Sequence, residues 1–141
     1  MTLTRSPLFR KGAVLLARLA LAAGYLSSVA DRFGVWGRYG SAHVLWGDFQ
    51  RFITFTETLN PFAPKVLAPV IAWLATVLEA GFGVALLLGV RTRTMAFGSG
   101  CLLLLFALAT IFAVGVHPAL SYSVLSAAGA SMLLARASDD L

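Results

Sequence analysis

The chain has 141 residues, 59% of them hydrophobic and only 12% charged, with a formal net charge of +5. An average soluble domain is about one-quarter charged, so a water-soluble fold of this composition would leave large apolar patches in water; the chain reads as a membrane protein. The basic excess is no nucleic-acid signature, because no basic run exceeds Arg10-Lys11 and the cations fall mostly between apolar runs, as membrane topology requires. Nucleic acid is therefore excluded as a partner.

In chain order, the first apolar stretch covers residues 12–30. Arg5, Arg10 and Lys11 precede it, and Ser28-Val29-Ala30 closes it in a pattern that also resembles a signal-peptide cleavage site. Arg18 inside the apolar core argues against export, so a retained first span is expected. Residues 31–64 form a long outer loop rich in aromatics. Within it "WGDFQRFITFTETL" (46–59) sets apolar residues at 46, 49, 52, 53 and 59 against Gln50, Arg51, Thr54, Glu57 and Thr58. That period predicts a short amphipathic helix, capped by Asp48 and ended by Asn60-Pro61. It suits either a helix lying in the membrane interface or an ordinary loop helix packed on the end of the bundle.

Three further apolar stretches follow, at 66–90, 95–116 and 120–135. Crossing a hydrocarbon layer of about 30 Å takes roughly 20 helical residues. The second and third meet that length easily, while the fourth is short and weakened by serines at 121, 123, 126 and 131. Arg91-Thr92-Arg93-Thr94 is a tight polar link between spans two and three, and His117-Pro118 is expected to break the chain between three and four. The fold expected is all-α: one integral-membrane antiparallel four-helix bundle over residues 1–141, with the short helix in its long first loop. With four spans, Arg5, Arg10, Lys11, Arg91, Arg93 and Arg136 share one side, and Arg32, Arg38, Arg51 and Lys65 the other. The first set lies closest to the spans, which places both termini in the cytoplasm.

One feature of span two stands out. "WLATVLEAGFGVALLLG" (73–89) carries a carboxylate, Glu79, near its middle. At helical rise Glu79 is roughly 18 Å from the Arg91 boundary, and Arg18 is roughly 10 Å deep from the same boundary when counted from Lys11. An unpaired charge at the bilayer centre costs about 2.5–3.5 kcal/mol on insertion scales. An Arg18–Glu79 pair is thus expected, since the guanidinium fork can hold both carboxylate oxygens; a neutral Glu79 that donates a hydrogen bond is the alternative. Ala72, Ala75, Thr76, Glu79 and Gly83 line one face of span two, and Arg18, Ala22 and Tyr25 share a face of span one, continued by Ser28 and Val29. Arg18, Tyr25, Glu79 and Gly83 are the candidate lining of a bundle cavity. Such a pair also has a purely architectural reading, in which it locks helix register. Tyr25 alone reads more readily as a packing or interfacial residue.

At the outer end Asp31 and His117 are weaker candidates for a head-group site or a proton relay; two side chains make no metal site. His43 reads as solvated. Cys101 lacks a second cysteine or an evident base and reads as a buried, inert thiol. No flavin, haem, iron–sulfur or nucleotide motif is present.

"LLARLALAAGYLSSVADRFG" (15–34) and "VLEAGFGVALLLGVRTRTMA" (77–96) together resemble the DoxX family of small four-helix bacterial membrane proteins. The matching positions are Arg18, Glu79, Gly81, Gly83, Gly89, Thr92 and Arg93, and the resemblance extends over about residues 13–135. Where many members carry a Lys-Leu or similar pair after span one, this chain has Asp31-Arg32-Phe33, which marks a subgroup. The resemblance implies redox work in a bacterial inner membrane, because the family takes its name from a subunit linked to thiosulfate:quinone oxidoreduction. Other members look like accessory partners in oxidative, thiol or quinone stress systems.

Two functions stand at this level. One is a quinone- or lipophile-binding subunit of a membrane redox system, in which a quinone sits near Arg18 and Glu79 and electrons come from a redox partner subunit or pass directly between bound substrates. The other is a non-catalytic scaffold or transport accessory whose ion pair is structural. The residues leave open whether the chain is catalytic. The partners expected are the lipid bilayer, a redox partner subunit and further copies of the chain.

Overall fold

The computed structural model describes residues 6–138. Among these the chain forms α1 (Pro7–Arg32), α2 (Phe49–Leu59), α3 (Ala68–Leu88), α4 (Thr92–Ala113), α5 (Val116–Ser121) and α6 (Val124–Ala137), with a 3-10 turn at Lys65–Leu67 before α3 and no strand. Among the described residues, three helical segments are long and apolar enough to cross a bilayer: Pro7–Arg32, Lys65–Leu88 and Thr92–Ala113. The fourth stretch is divided, since α6 has only 14 residues and α5 precedes it separately. The break before α5 falls at Val114-Gly115, where Gly115 has φ 121°, and not at His117-Pro118, which lies inside α5.

Helix α1 starts with Pro7 in its first turn, where a missing N–H costs nothing. It ends in a Schellman arrangement: Gly34 (φ 74°) donates to the Asp31 carbonyl at 3.0 Å and Val35 to the Ala30 carbonyl at 3.1 Å. Apolar composition marked only 12–30 of this helix, so it extends further at both ends than expected. Arg32 is consequently its last helical residue, and a buried one, instead of a loop cation. Helix α3 closes the same way at Gly89 (φ 74°), with Val90 donating to the Ala85 carbonyl at 2.9 Å.

α1 packs mainly along α3 and α4 along α6, while α3 also touches α4 and α1 touches α6. Small residues make these approaches close. Ala22, Ala72, Ala96 and Ala107 are wholly buried, whereas large apolar side chains such as Leu16, Trp73, Leu105 and Phe112 face outward. Small residues within and large ones without is the pattern of helices packing in lipid. At Gly83 a Cβ would lie 2.9 Å from Leu26 Cγ and 3.2 Å from Tyr25 Cβ, so glycine sets the α1–α3 register there.

That register is antiparallel and regular. Tyr25 lies against Gly83, and seven residues further on Arg32 reaches Thr76, seven residues back along α3. The interior falls into two apolar clusters. One joins Val14, Leu21, Ala22, Tyr25, Leu86 and Leu134, and the other joins Phe52, Ala72 and Ala75 beneath α2. Between them lies a polar layer.

Candidate functional site

The polar layer is built around Arg32 and Glu79. Arg32 Nη2 donates to Glu79 Oε2 at 2.7 Å, and the two side chains are 3% and 4% exposed. Arg32 Nη1 donates to Thr76 Oγ1 at 2.8 Å, and Nη2 also reaches Ser28 Oγ at 3.3 Å. Thr76 in turn donates to the Ala72 carbonyl at 2.8 Å, which fixes its hydroxyl as an acceptor for the arginine. From above, the Phe52 ring of α2 covers the guanidinium, with Arg32 Cζ 3.6 Å from its centroid, a cation–π contact worth about 2 kcal/mol when desolvated.

Glu79 therefore has a partner, but it is Arg32 and not Arg18. In the observed register Arg18 is level with Val90, just past the Gly89 turn and eleven residues from Glu79, or about 16 Å at helical rise. That is double the gap inferred by counting from Lys11, and two side chains do not close it. Arg18 instead donates from Nε to the Leu86 carbonyl at 2.9 Å and from Nη2 to the Leu87 carbonyl at 3.3 Å. It thus satisfies carbonyls at the C-terminus of α3, where the helix dipole favours a cation. Gly89 leaves room for this, since a Cβ there would lie 2.8 Å from Arg18 Cζ.

Tyr25 belongs to a second polar chain. Its hydroxyl is 2.7 Å from Ser99 Oγ and donates to the Ser99 carbonyl at 3.2 Å. Ser131 Oγ is 2.9 Å from both Ser99 Oγ and the Ala96 carbonyl. One hydroxyl relay thus ties α1, α4 and α6 together. Gly83 serves as a point of close approach between α1 and α3.

Asp31 holds the loop. Its Oδ2 accepts from the backbone N–H groups of Leu45 (3.0 Å) and Trp46 (2.9 Å). This brings the chain back over the end of α1 so that α2 can start at Phe49. Asp48 caps α2 by accepting from the Arg51 N–H at 2.9 Å. His117 is exposed at the start of α5, and the structure does not join it to Asp31, whose carboxylate is committed to the loop backbone. Cys101 is exposed on α4, not buried as its apolar surroundings suggested. His43 is exposed in the loop. Among the described residues no three His, Cys, Asp or Glu side chains converge as metal ligands.

The residue missed by sequence reasoning is Arg32. Its signal was present: the face running through Arg18, Ala22, Tyr25 and Ser28 continues by one more helical step to Arg32. Among the described residues, two buried polar atoms of the site, Arg32 Nε and Asp31 Oδ1, have no hydrogen-bond partner. A concavity at the same end is lined by Glu57, Asn60, Pro64, Lys65, Ala68 and Ile71 among others, with room for about 80 Å³.

A sequence model of the DoxX family matches residues 13–116. No curated protein and no solved structure matches the chain.

Proposed function

This chain belongs to the DoxX family, and from that premise we propose that it serves as the membrane subunit of a quinone- or thiol-linked redox system. It is an integral, multi-pass membrane protein in contact with the lipid bilayer. In our reading α6 completes an antiparallel four-helix bundle in the bacterial inner membrane, with both termini cytoplasmic. A quinone or similar lipophile is taken up beside Arg32 and Glu79, beneath α2.

The observation that carries the reading is the unpartnered Arg32 Nε. A buried N–H without an acceptor costs about 1–3 kcal/mol, and a quinone carbonyl is an acceptor that arrives through lipid. Phe52 covers the guanidinium with its ring and so bounds the place with an apolar wall, and Glu79 is the group within the layer that can exchange a proton with a hydroquinone. Electrons would be supplied by a partner subunit. The competing reading is a scaffold or transport accessory with an architectural ion pair. It is favoured by the close contact at Gly83 and by the three acceptors that Arg32 already has in Thr76, Ser28 and Glu79.

Organic extraction of protein purified in mild detergent separates the two. The redox reading expects a quinone to co-purify with the wild type and to be lost from Arg32→Lys, which keeps the charge but removes the Nε donor, while the variant stays folded. Absence of any lipophile from the folded wild type, or its undiminished retention by a folded Arg32→Lys, overturns the reading.

A further inference from the structure

We propose that the connection from α1 to α3 is a re-entrant cap embedded in the lipid leaflet at the Arg32 end, with its partner surface the acyl chains and glycerol boundary of that leaflet.

α3 has 21 residues, about 31 Å at helical rise, which matches the hydrocarbon thickness of about 30 Å. Arg32, the last residue of α1, is opposite Thr76, and Ala68 starts α3 eight residues further out. The helical part of α1 thus stops about 12 Å short of the end of α3. If α3 spans the layer, α1 ends inside it, and the segment after Arg32 occupies lipid depth.

The segment has the chemistry that depth demands. Trp36 folds back along the outside of α1, its indole N–H donating to the Ser27 carbonyl at 3.1 Å, five residues below the helix end. Phe33, Val35, Trp36 and Leu45 are all exposed, between 51% and 69%. Phe33 continues the outward apolar wall of α3, with its ring 6.0 Å from the exposed Trp73 ring. Irregular backbone in hydrocarbon is tolerated only when its polar groups find partners within the protein. Here Phe33, Gly34, Val35 and Gly37 donate to carbonyls of the preceding turn, and Leu45 and Trp46 donate to Asp31. The polar residues sit elsewhere: Arg38, Ser41 and His43 at the tip, and Gln50, Arg51, Thr54 and Thr58 on the exposed side of α2. A loop lying in water would need neither the apolar exterior nor the internal bonding.

The test is site-directed spin labelling in phospholipid vesicles on a Cys101→Ser background. Labels go at Val35→Cys and Leu45→Cys, with Leu105→Cys as the lipid-facing reference and Gln50→Cys as the aqueous one. Accessibility to oxygen is compared with accessibility to a water-soluble nickel chelate. The proposal expects the oxygen-to-nickel ratio at 35 and 45 to match position 105 and to exceed position 50 several-fold. A ratio at both sites equal to that at position 50 overturns it. So does exclusion of both probes from the two sites, which would mean that protein, such as a second copy of the chain, covers this surface.

Discussion

Two arginines of α1, Arg18 and Arg32, meet the same problem in two ways. Arg18 is partly buried at the C-terminus of α3 and is met by carbonyl partial charges. Arg32 is buried in the polar layer and is met by the full charge of Glu79, with Thr76 and Ser28 also accepting from its terminal nitrogens. A helix terminus offers about half an elementary charge, which suffices for a cation at the boundary. Deeper in lipid only a full opposite charge cancels the desolvation cost. Depth, not residue type, decides which partner an arginine needs.

The comparison can be broken most severely at Glu79. Glu79→Leu leaves Arg32 buried without its counter-charge, and a loss of about 3–5 kcal/mol is expected in denaturant unfolding from detergent micelles. Restoring neutrality with Arg32→Leu in the same chain should recover much of that loss. Gly83→Val follows, because its Cβ would meet Leu26 and push α1 off the register that sets both arginine depths. Overpacking of this kind costs about 1–3 kcal/mol, readable as a lowered midpoint in the same experiment. Asp31→Ala should cost about 1–3 kcal/mol by leaving the Leu45 and Trp46 N–H groups without an acceptor, and should speed proteolysis between residues 33 and 48. Arg18→Gln is the mildest change. It removes a dipole contact worth about 0.3–1 kcal/mol, or up to ~2 where partly buried, and unfolding should place it well below Glu79→Leu.

Much of this was legible in the sequence. The middle of the buried face of α3 was readable, since Ala72, Ala75, Thr76, Glu79 and Gly83 are all buried, although Ala68 and Leu86 extend that face beyond the expected residues. So was the need of Glu79 for an arginine, because the cost of an unpaired charge in lipid is general. Register was not legible. It depends on where α1 starts and stops, and apolar composition marks the part of a helix that suits lipid, not its hydrogen-bonded ends. A stretch such as "ADRFG" reads as loop because it is charged, yet its Phe-Gly supplies the turn that lets the helix continue through Arg32. Likewise Cys101 looked buried from its apolar neighbours, but in a membrane protein apolar surroundings also mark the outside. The Ser99–Ser131 contact joins α4 to α6 across 32 positions, and no local pattern announces it.

Paired double-mutant cycles on unfolding free energy test the central claim most directly, one for Arg32 with Glu79 and one for Arg18 with Glu79. Contacting residues couple by about 0.5–3 kcal/mol, while separated ones add within about 0.3–0.5 kcal/mol. The account predicts strong coupling in the first cycle and near-additivity in the second. Strong coupling of Glu79 to Arg18, with Arg32 additive, would contradict it.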